Sequence, residues 1–215
     1  MTRDVNGLVA VIRQPTRRLA GLVARSFVDA GIDLIEITMT TPGALDIIEE
    51  CSATGARVGA GTVLDVSQAA AALDAGATFL VSPVTDADVL AVAREAGLDY
   101  VGGAATPGEV HAALRIGVRV IKIFPIDVMG GADYLRTLRG PFPQLRSVVS
   151  GGVHIADFGN YLDAGAEGIC VGSELLDKDA LADGDLARQT QHAAALRQRY
   201  EDIVAARAAP AGGQP

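Results

Sequence analysis

Tryptophan is missing from this chain of 215 residues, and tyrosine and phenylalanine together make up only 4% of it. A core built on stacked rings is therefore excluded. Because 49% of the residues are hydrophobic, the interior has to be aliphatic, drawn from Val, Ile, Leu and Ala, the usual filling of parallel sheets covered by helices on both faces. Cysteine occurs twice. Cys51 and Cys170 show no ligand spacing and are expected as reduced, buried thiols, not as a disulfide framework. Histidine occurs three times. His111 and His192 fall in helical stretches, and His154 starts another near a strand end, where it is expected to be solvated. No set of histidines and carboxylates has the spacing of a metal site, so no metal is expected. Positive charge is the minority sign, 18 Lys and Arg against 26 Asp and Glu, for a net charge of −8. Such a surface makes nucleic acid a poor partner, although an anionic small molecule needs only a local positive potential. Long apolar runs are also missing. The opening stretch MTRDVNGLVAVIRQ has too short an apolar run for a signal peptide or a membrane span, so a cytoplasmic protein with no membrane segment is expected.

What the chain does have is regular alternation. Short apolar runs over 8–13, 33–38, 57–62, 78–82, 99–102, 119–124, 147–150 and 168–172 read as strands. Between and after them, helical patterns run over 16–30, 42–54, 65–75, 86–96, 107–116, 132–138, 155–164 and 186–206. The phrase Asp-Ala-Gly recurs at 29–31, 74–76 and 163–165, each time at a helix end, where Gly accepts the left-handed conformation that stops a helix. Eight such units in order predict an α/β fold, a single-domain (β/α)8 TIM barrel. An open doubly wound sheet would normally carry a G-x-G-x-x-G turn after its first strand, and the stretch 13–16 has none. The barrel is expected to occupy 1–207. The residues 208–215, at the end of a tail rich in Ala, Gly and Pro, are expected to be disordered.

Lysine is scarcer than any composition average would suggest, and that scarcity isolates a residue. Lys178 lies in the polar run Asp177-Lys178-Asp179, whereas Lys122 lies inside the apolar strand Val118–Phe124. Side chains alternate along a strand. Ile121 and Ile123 suit the helix-covered face, which turns Val120, Lys122 and Phe124 into the barrel. Burying an ammonium is costly, and a desolvated amine is a nucleophile in its neutral form. Glu36 repeats the pattern: Ile35 and Ile37 face the helices, and Leu34, Glu36 and Thr38 point inward. The two charges could form a structural ion pair or a nucleophile with its proton-transfer group. Their place toward the carboxyl ends of their strands favours catalysis, because active sites of this fold occupy that face.

Other residues gather at the same rim. Arg13 ends the first strand in an inward register, and a guanidinium matches a carboxylate bidentately; a surface arginine is the alternative. The run Gly59-Ala60-Gly61-Thr62 would let backbone approach a ligand and adds a hydroxyl. Ser150-Gly151-Gly152 and Gly172-Ser173 end the seventh and eighth strands, where phosphate is often held by exposed N–H groups and a helix N-terminus. Tight turning alone would also explain those glycines.

Taken together these residues resemble the bacterial 2-keto-3-deoxy-6-phosphogluconate (KDPG) aldolase family, which includes the 4-hydroxy-2-oxoglutarate aldolases. The resemblance is carried by AVIR at 10–13, IEIT at 35–38, GAGTVL at 59–64, VSP at 81–83, IKIFP at 121–125, GPFP at 140–143, SGGV at 150–153 and VGS at 171–173. It implies a class I aldolase acting on a phosphorylated 2-keto acid, built as a homotrimer, with no metal or organic cofactor. It implies Lys122 as the Schiff-base lysine and Glu36 as the general acid/base. Thr62 would help bind the pyruvyl carboxylate, Pro83 and Phe124 would line the pocket, and Gly151, Gly152 and Ser173 would hold phosphate. One departure stands out. Many relatives carry Leu-Arg-Thr after the second strand, with the arginine on the carboxylate, where this chain has Met39-Thr40-Thr41. With that arginine missing, Arg13 is expected to hold the carboxylate. Ser150 stands where gluconate-type enzymes tend to have Thr and galactonate-type enzymes an apolar residue, which favours the gluconate stereochemistry. The rival readings are a 2-keto-3-deoxy-6-phosphogalactonate aldolase, a phosphate-binding barrel isomerase or epimerase, and a catalytically silent barrel serving as a trimeric assembly unit.

Overall fold

The computed structural model describes residues 4–208. Strands β1 (Gly7–Ile12), β2 (Leu34–Thr38), β3 (Arg57–Gly61), β4 (Phe79–Val81), β5 (Asp99–Ala104), β6 (Val120–Ile123), β7 (Ser147–Val149) and β8 (Gly168–Val171) are all parallel and close into a barrel in chain order. The (β/α)8 expectation holds. Helices α1 (Arg17–Asp29), α2 (Ala44–Ser52), α3 (Val66–Asp74), α4 (Ala87–Glu95), α5 (Pro107–Ile116), α6 (Gly131–Arg139) and α7 (Phe158–Asp163) alternate with the strands, and α8 (Lys178–Asp183) and α9 (Leu186–Ala208) follow β8. Of the expected C-terminal tail, residues 209–215 lie outside the described residues, as do residues 1–3.

Local chemistry sets the helix ends. Thr16, Asp65 and Asp86 each accept a backbone N–H from the first turn of the helix they precede. Thr106 and Glu109 form a reciprocal capping box on α5, satisfying two donors that a helix start otherwise leaves open. The three Asp-Ala-Gly stops behave as the sequence requires, with Gly31, Gly76 and Gly165 at φ +71°, +90° and +91°. Two elements differ from expectation. The stretch 155–164 starts as a 3-10 turn, Ile155–Asp157, before α7 begins. The polar run around Lys178, for which no helix was expected, forms the short helix α8, capped by Asp177, which accepts from the N–H groups of Asp179 and Ala180; Lys178 itself is exposed there.

Strand alternation divides the core in two. Ala10, Ile12, Ile35, Ile37, Ile121 and Ile123 face the helices, whereas Val9, Leu34, Phe79, Val81, Val101, Val120, Val148 and Cys170 fill the barrel. At the amino-terminal mouth Val5 is 1% exposed, and Asp4 reaches Arg146 at 2.8 Å and Arg119 at 3.6 Å. Apolar packing and ion pairs thus close that end and leave the carboxyl end to carry chemistry. Two inward positions of β3, Gly59 and Gly61, have no side chain. A Cβ on Gly59 would sit 2.4 Å from the Phe79 ring, and one on Gly61 would sit 2.0 Å from a Glu36 carboxylate oxygen. These glycines, read from sequence as an opening for ligand, instead make room for Phe79 and for Glu36. Among the described residues no helix is long and apolar enough to cross a membrane, and no group of three or more His, Cys, Asp or Glu could hold a metal ion.

Candidate active site

The carboxyl ends of the strands surround a cavity of about 360 Å³, within the range of small-molecule sites. Every residue singled out from the sequence lines it: Lys122, Glu36, Arg13, Thr62, Pro83, Phe124, Ser150, Gly151, Gly152, Gly172 and Ser173.

At its floor Lys122 is 7% exposed and Glu36 1%. The Lys122 Nζ lies 3.4 Å from each Glu36 carboxylate oxygen and 5.9 Å from the centre of the Phe124 ring. β6 and β2 deliver these side chains because both residues hold inward positions flanked by outward isoleucines. Both carboxylate oxygens therefore face one amine in a buried floor, an arrangement in which a proton can pass between them. Cys170 on β8 forms part of the same wall. Burial pushes its thiol up to about 12, against the opposing pull of Lys122, so Cys170 stays protonated and is not a rival nucleophile. Cys51 and Cys170 are both buried and unpaired, as expected.

Arg13 sits one residue beyond the end of β1, exposed, and donates from Nη2 to Thr62 Oγ1 at 3.2 Å. Thr62 follows β3 with φ +58°, a left-handed conformation that β-branched residues rarely enter and that typically costs about 1–3 kcal/mol. That backbone turn brings its hydroxyl to the guanidinium. The run 39–41 does not reach the cavity. Thr40 is exposed and donates to Thr38 Oγ1 at 3.2 Å, while the Thr38 and Thr41 hydroxyls bond the Ile12 carbonyl at 3.2 and 3.3 Å. In place of an arginine, this threonine cluster bonds the backbone immediately before Arg13.

The opposite end of the cavity is made of backbone. Gly151 and Gly152 have φ +90° and +76°. A Cβ on Gly151 would meet the Phe124 ring at 3.0 Å, and one on Gly152 would meet Asp127 at 2.5 Å, so neither position admits a side chain. Among the described residues no protein acceptor meets the N–H groups of Gly151, Gly152, Gly172 or Ser173. The sequence also suggested a helix N-terminus here, but only the 3-10 turns Ile155–Asp157 and Ser173–Leu175 follow these glycines. The donors are loop amides. α9 holds the second loop in place: buried Gln189 donates to the Leu175 carbonyl at 2.7 Å and accepts from Asp177 N–H at 2.8 Å.

Val11, Gln14, Val153, His154, Cys170 and Leu176 also line the cavity and were not chosen from sequence. Strand alternation could have found Val11 and Cys170, both inward. Gln14, Val153 and Leu176 lie beyond strand ends, where periodicity carries no signal. His154 was placed at the rim and read as solvated. It is exposed, and it also borders the cavity.

The sequence model of the KDPG and KHG aldolase family matches residues 3–192. The chain is 34% identical to the 2-dehydro-3-deoxy-phosphogluconate aldolase of Treponema pallidum (strain Nichols) over 186 residues, 85% of this chain and 86% of that one. It is 35% identical to the KHG/KDPG aldolase of Escherichia coli (strain K12) over 172 residues, 79% and 80% of the two chains. Among solved structures it resembles a KDPG aldolase from Legionella pneumophila with pyruvate captured at low pH as a covalent carbinolamine intermediate, at 26% identity and a TM-score of 0.79, covering 89% of this chain and 94% of that one.

Proposed function

Because the chain belongs to the KDPG and KHG aldolase family, we propose that it is a carbon–carbon lyase, a class I aldolase. It cleaves 2-keto-3-deoxy-6-phosphogluconate to pyruvate and glyceraldehyde 3-phosphate, and 4-hydroxy-2-oxoglutarate to pyruvate and glyoxylate. The observation that carries this reading is the buried Lys122–Glu36 pair, with 3.4 Å from the amine to each carboxylate oxygen, at the floor of the cavity. Lys122 gives up a proton toward Glu36 and adds to the C2 carbonyl. Glu36 returns that proton to the carbinolamine hydroxyl, which leaves as water, and the resulting iminium draws electrons from the C3–C4 bond. Glu36 removes the C4 hydroxyl proton, the bond breaks, and the aldehyde departs from an enamine on Lys122. Glu36 returns a proton to C3, and hydrolysis frees pyruvate and the amine. No external cofactor enters these steps.

Arg13 and Thr62 take the substrate carboxylate, Pro83 and Phe124 wall the carbon chain, and Ser150, Gly151, Gly152, Gly172 and Ser173 receive the hydroxylated and phosphorylated end. The Ser150 hydroxyl favours the gluconate over the galactonate configuration. The enzyme is a homotrimer of the cytoplasm in this reading. The silent-barrel alternative is weakened by the same pair, because an unused buried ion pair is often no better than apolar packing. Pyruvate with borohydride tests the proposal. One reduced pyruvyl mass per chain, on a peptide containing Lys122, is expected; an unmodified chain, or an adduct on Lys178, refutes it.

Arg13→Ala should raise KM for every keto acid, phosphorylated or not, and weaken pyruvate binding, by about tenfold or more for a lost charged hydrogen bond. Arg13→Lys should recover little, since a point charge does not replace a planar fork. Steady-state kinetics on both substrates checks this. Unchanged pyruvate binding in Arg13→Ala would leave the carboxylate to Thr62 and backbone donors.

A further inference from the structure

His154 borders the amide-lined end of the cavity, two residues after Gly152. The other basic side chains lining the cavity, Arg13 and Lys122, are assigned to the carboxylate and carbonyl of the keto acid. Of the residues lining the cavity, His154 is the remaining side chain that can carry positive charge. Its surroundings set its chemistry. The ring Nδ1 lies 3.1 Å from a Glu174 carboxylate oxygen, with the histidine side chain 62% exposed and the glutamate 33%. An ionised carboxylate only accepts, so Nδ1 carries a proton and donates to Glu174. Nε2 meets no protein partner among the described residues.

Glu174 is well placed to orient that ring. It follows Ser173 directly, in the 3-10 turn after β8. Its backbone carbonyl meets His192 Nε2 at 3.0 Å, and the next residue's carbonyl is held by Gln189, so α9 fixes the turn from behind. Glu174 is also a charge of the wrong sign for a neighbouring anion, and His154 stands against its carboxylate at 3.1 Å.

We infer that His154, oriented by Glu174, is a specificity-determining residue that reads the substrate phosphate, donating Nε2–H to a phosphoryl oxygen while the loop amides hold the others. The inference rests on the proposed aldolase reading and adds to it a side-chain donor in the phosphate subsite. A phosphoryl group held by amides alone would bring its negative charge beside Glu174; a histidine ring between them separates the two anions and offers a donor. An unphosphorylated keto acid has no phosphoryl oxygen to accept this bond.

The test compares 2-keto-3-deoxy-6-phosphogluconate with 4-hydroxy-2-oxoglutarate, and uses inorganic phosphate as an inhibitor. His154→Ala should lower kcat/KM for the phosphorylated substrate about 10- to 100-fold, mainly through KM, the loss expected for a hydrogen bond to a charged group. Inorganic phosphate should inhibit more weakly by a similar factor, and the unphosphorylated substrate should be unaffected. His154→Ala/Glu174→Gln removes the wrong-sign charge without restoring the donor, so the defect should persist. Full recovery in the double variant would reduce His154 to a shield for Glu174 and overturn the contact. An unchanged substrate ratio in His154→Ala, with Ser173→Ala impairing the phosphorylated substrate, would overturn this inference alone. If wild type neither prefers the phosphorylated substrate nor responds to inorganic phosphate, the phosphate reading falls and takes this inference with it. Because His154 is exposed, melting curves of the variants should match wild type, which separates a binding loss from misfolding.

Discussion

Lys122→Met is expected to abolish the borohydride-trapped adduct and to lower kcat on the order of a million-fold, the scale seen when a covalent nucleophile is removed. The structure adds a cost in stability. Met fills the volume of the lysine stem, but Glu36, 1% exposed, loses the partner at 3.4 Å that balances its charge. Leaving one member of a buried pair uncompensated costs about 3–5 kcal/mol. Lys122→Met should therefore unfold at clearly lower denaturant than wild type while keeping the native far-ultraviolet circular dichroism. Lys122→Met/Glu36→Gln removes both charges and should regain part of that loss with no return of activity. This split between stability and turnover distinguishes a catalytic pair from a structural one. If the single variant keeps appreciable turnover, Lys122 is not the nucleophile, and its burial beside Glu36 is only a matter of packing.

The pair was legible in the sequence because it breaks a pattern. In β6 and β2 the outward isoleucines are obligatory, since helices cover that face, so the charged residues between them could only point inward. The (β/α)8 closure was legible for a similar reason. Helix caps and glycine stops are local signals, and one or the other marks most of the helices. Inward registers of Val11 and Cys170 follow from the same alternation.

Where two distant segments meet, the sequence was silent or misleading. Gly59 and Gly61 looked like an opening for ligand, but the space they leave is taken by Phe79 and Glu36, which no neighbour in sequence reveals. The left-handed φ of Thr62 runs against the preference of a β-branched side chain. The His154–Glu174 pair joins the loops after β7 and β8 across 20 positions. Gln189 reads as an ordinary polar residue of α9 until its two hydrogen bonds to the turn after β8 are seen. Such features come from how the barrel brings strand ends together, and only the folded chain contains that information. The missing arginine at 39–41 was visible as an absence, but the threonine hydrogen bonds to the Ile12 carbonyl that occupy this corner were not.

Glu36→Gln should separate adduct formation from proton transfer. The amide has nearly the shape of the carboxylate and fits the same recess against Gly61, where a Cβ would lie 2.0 Å from the Glu36 oxygen. The amine that adds to the carbonyl remains, so pyruvate and borohydride should still label Lys122. What the variant lacks is a group that can take up a proton from C4 hydroxyl or C3 and give it back. General acid–base groups typically contribute about a hundred- to ten-thousand-fold, and a loss in that range is expected both for cleavage and for exchange of pyruvate methyl protons with deuterium oxide. The exchange measurement is the sharper one, because it needs no aldehyde and no phosphate and so isolates the step at C3. Both steps should fall together if one carboxylate serves both. Cleavage that fails while methyl exchange keeps its wild-type rate would restrict Glu36 to the C4 hydroxyl and assign the C3 proton to another group. Unchanged rates for both would leave Glu36 as no more than the counter-charge that keeps Lys122 in the barrel.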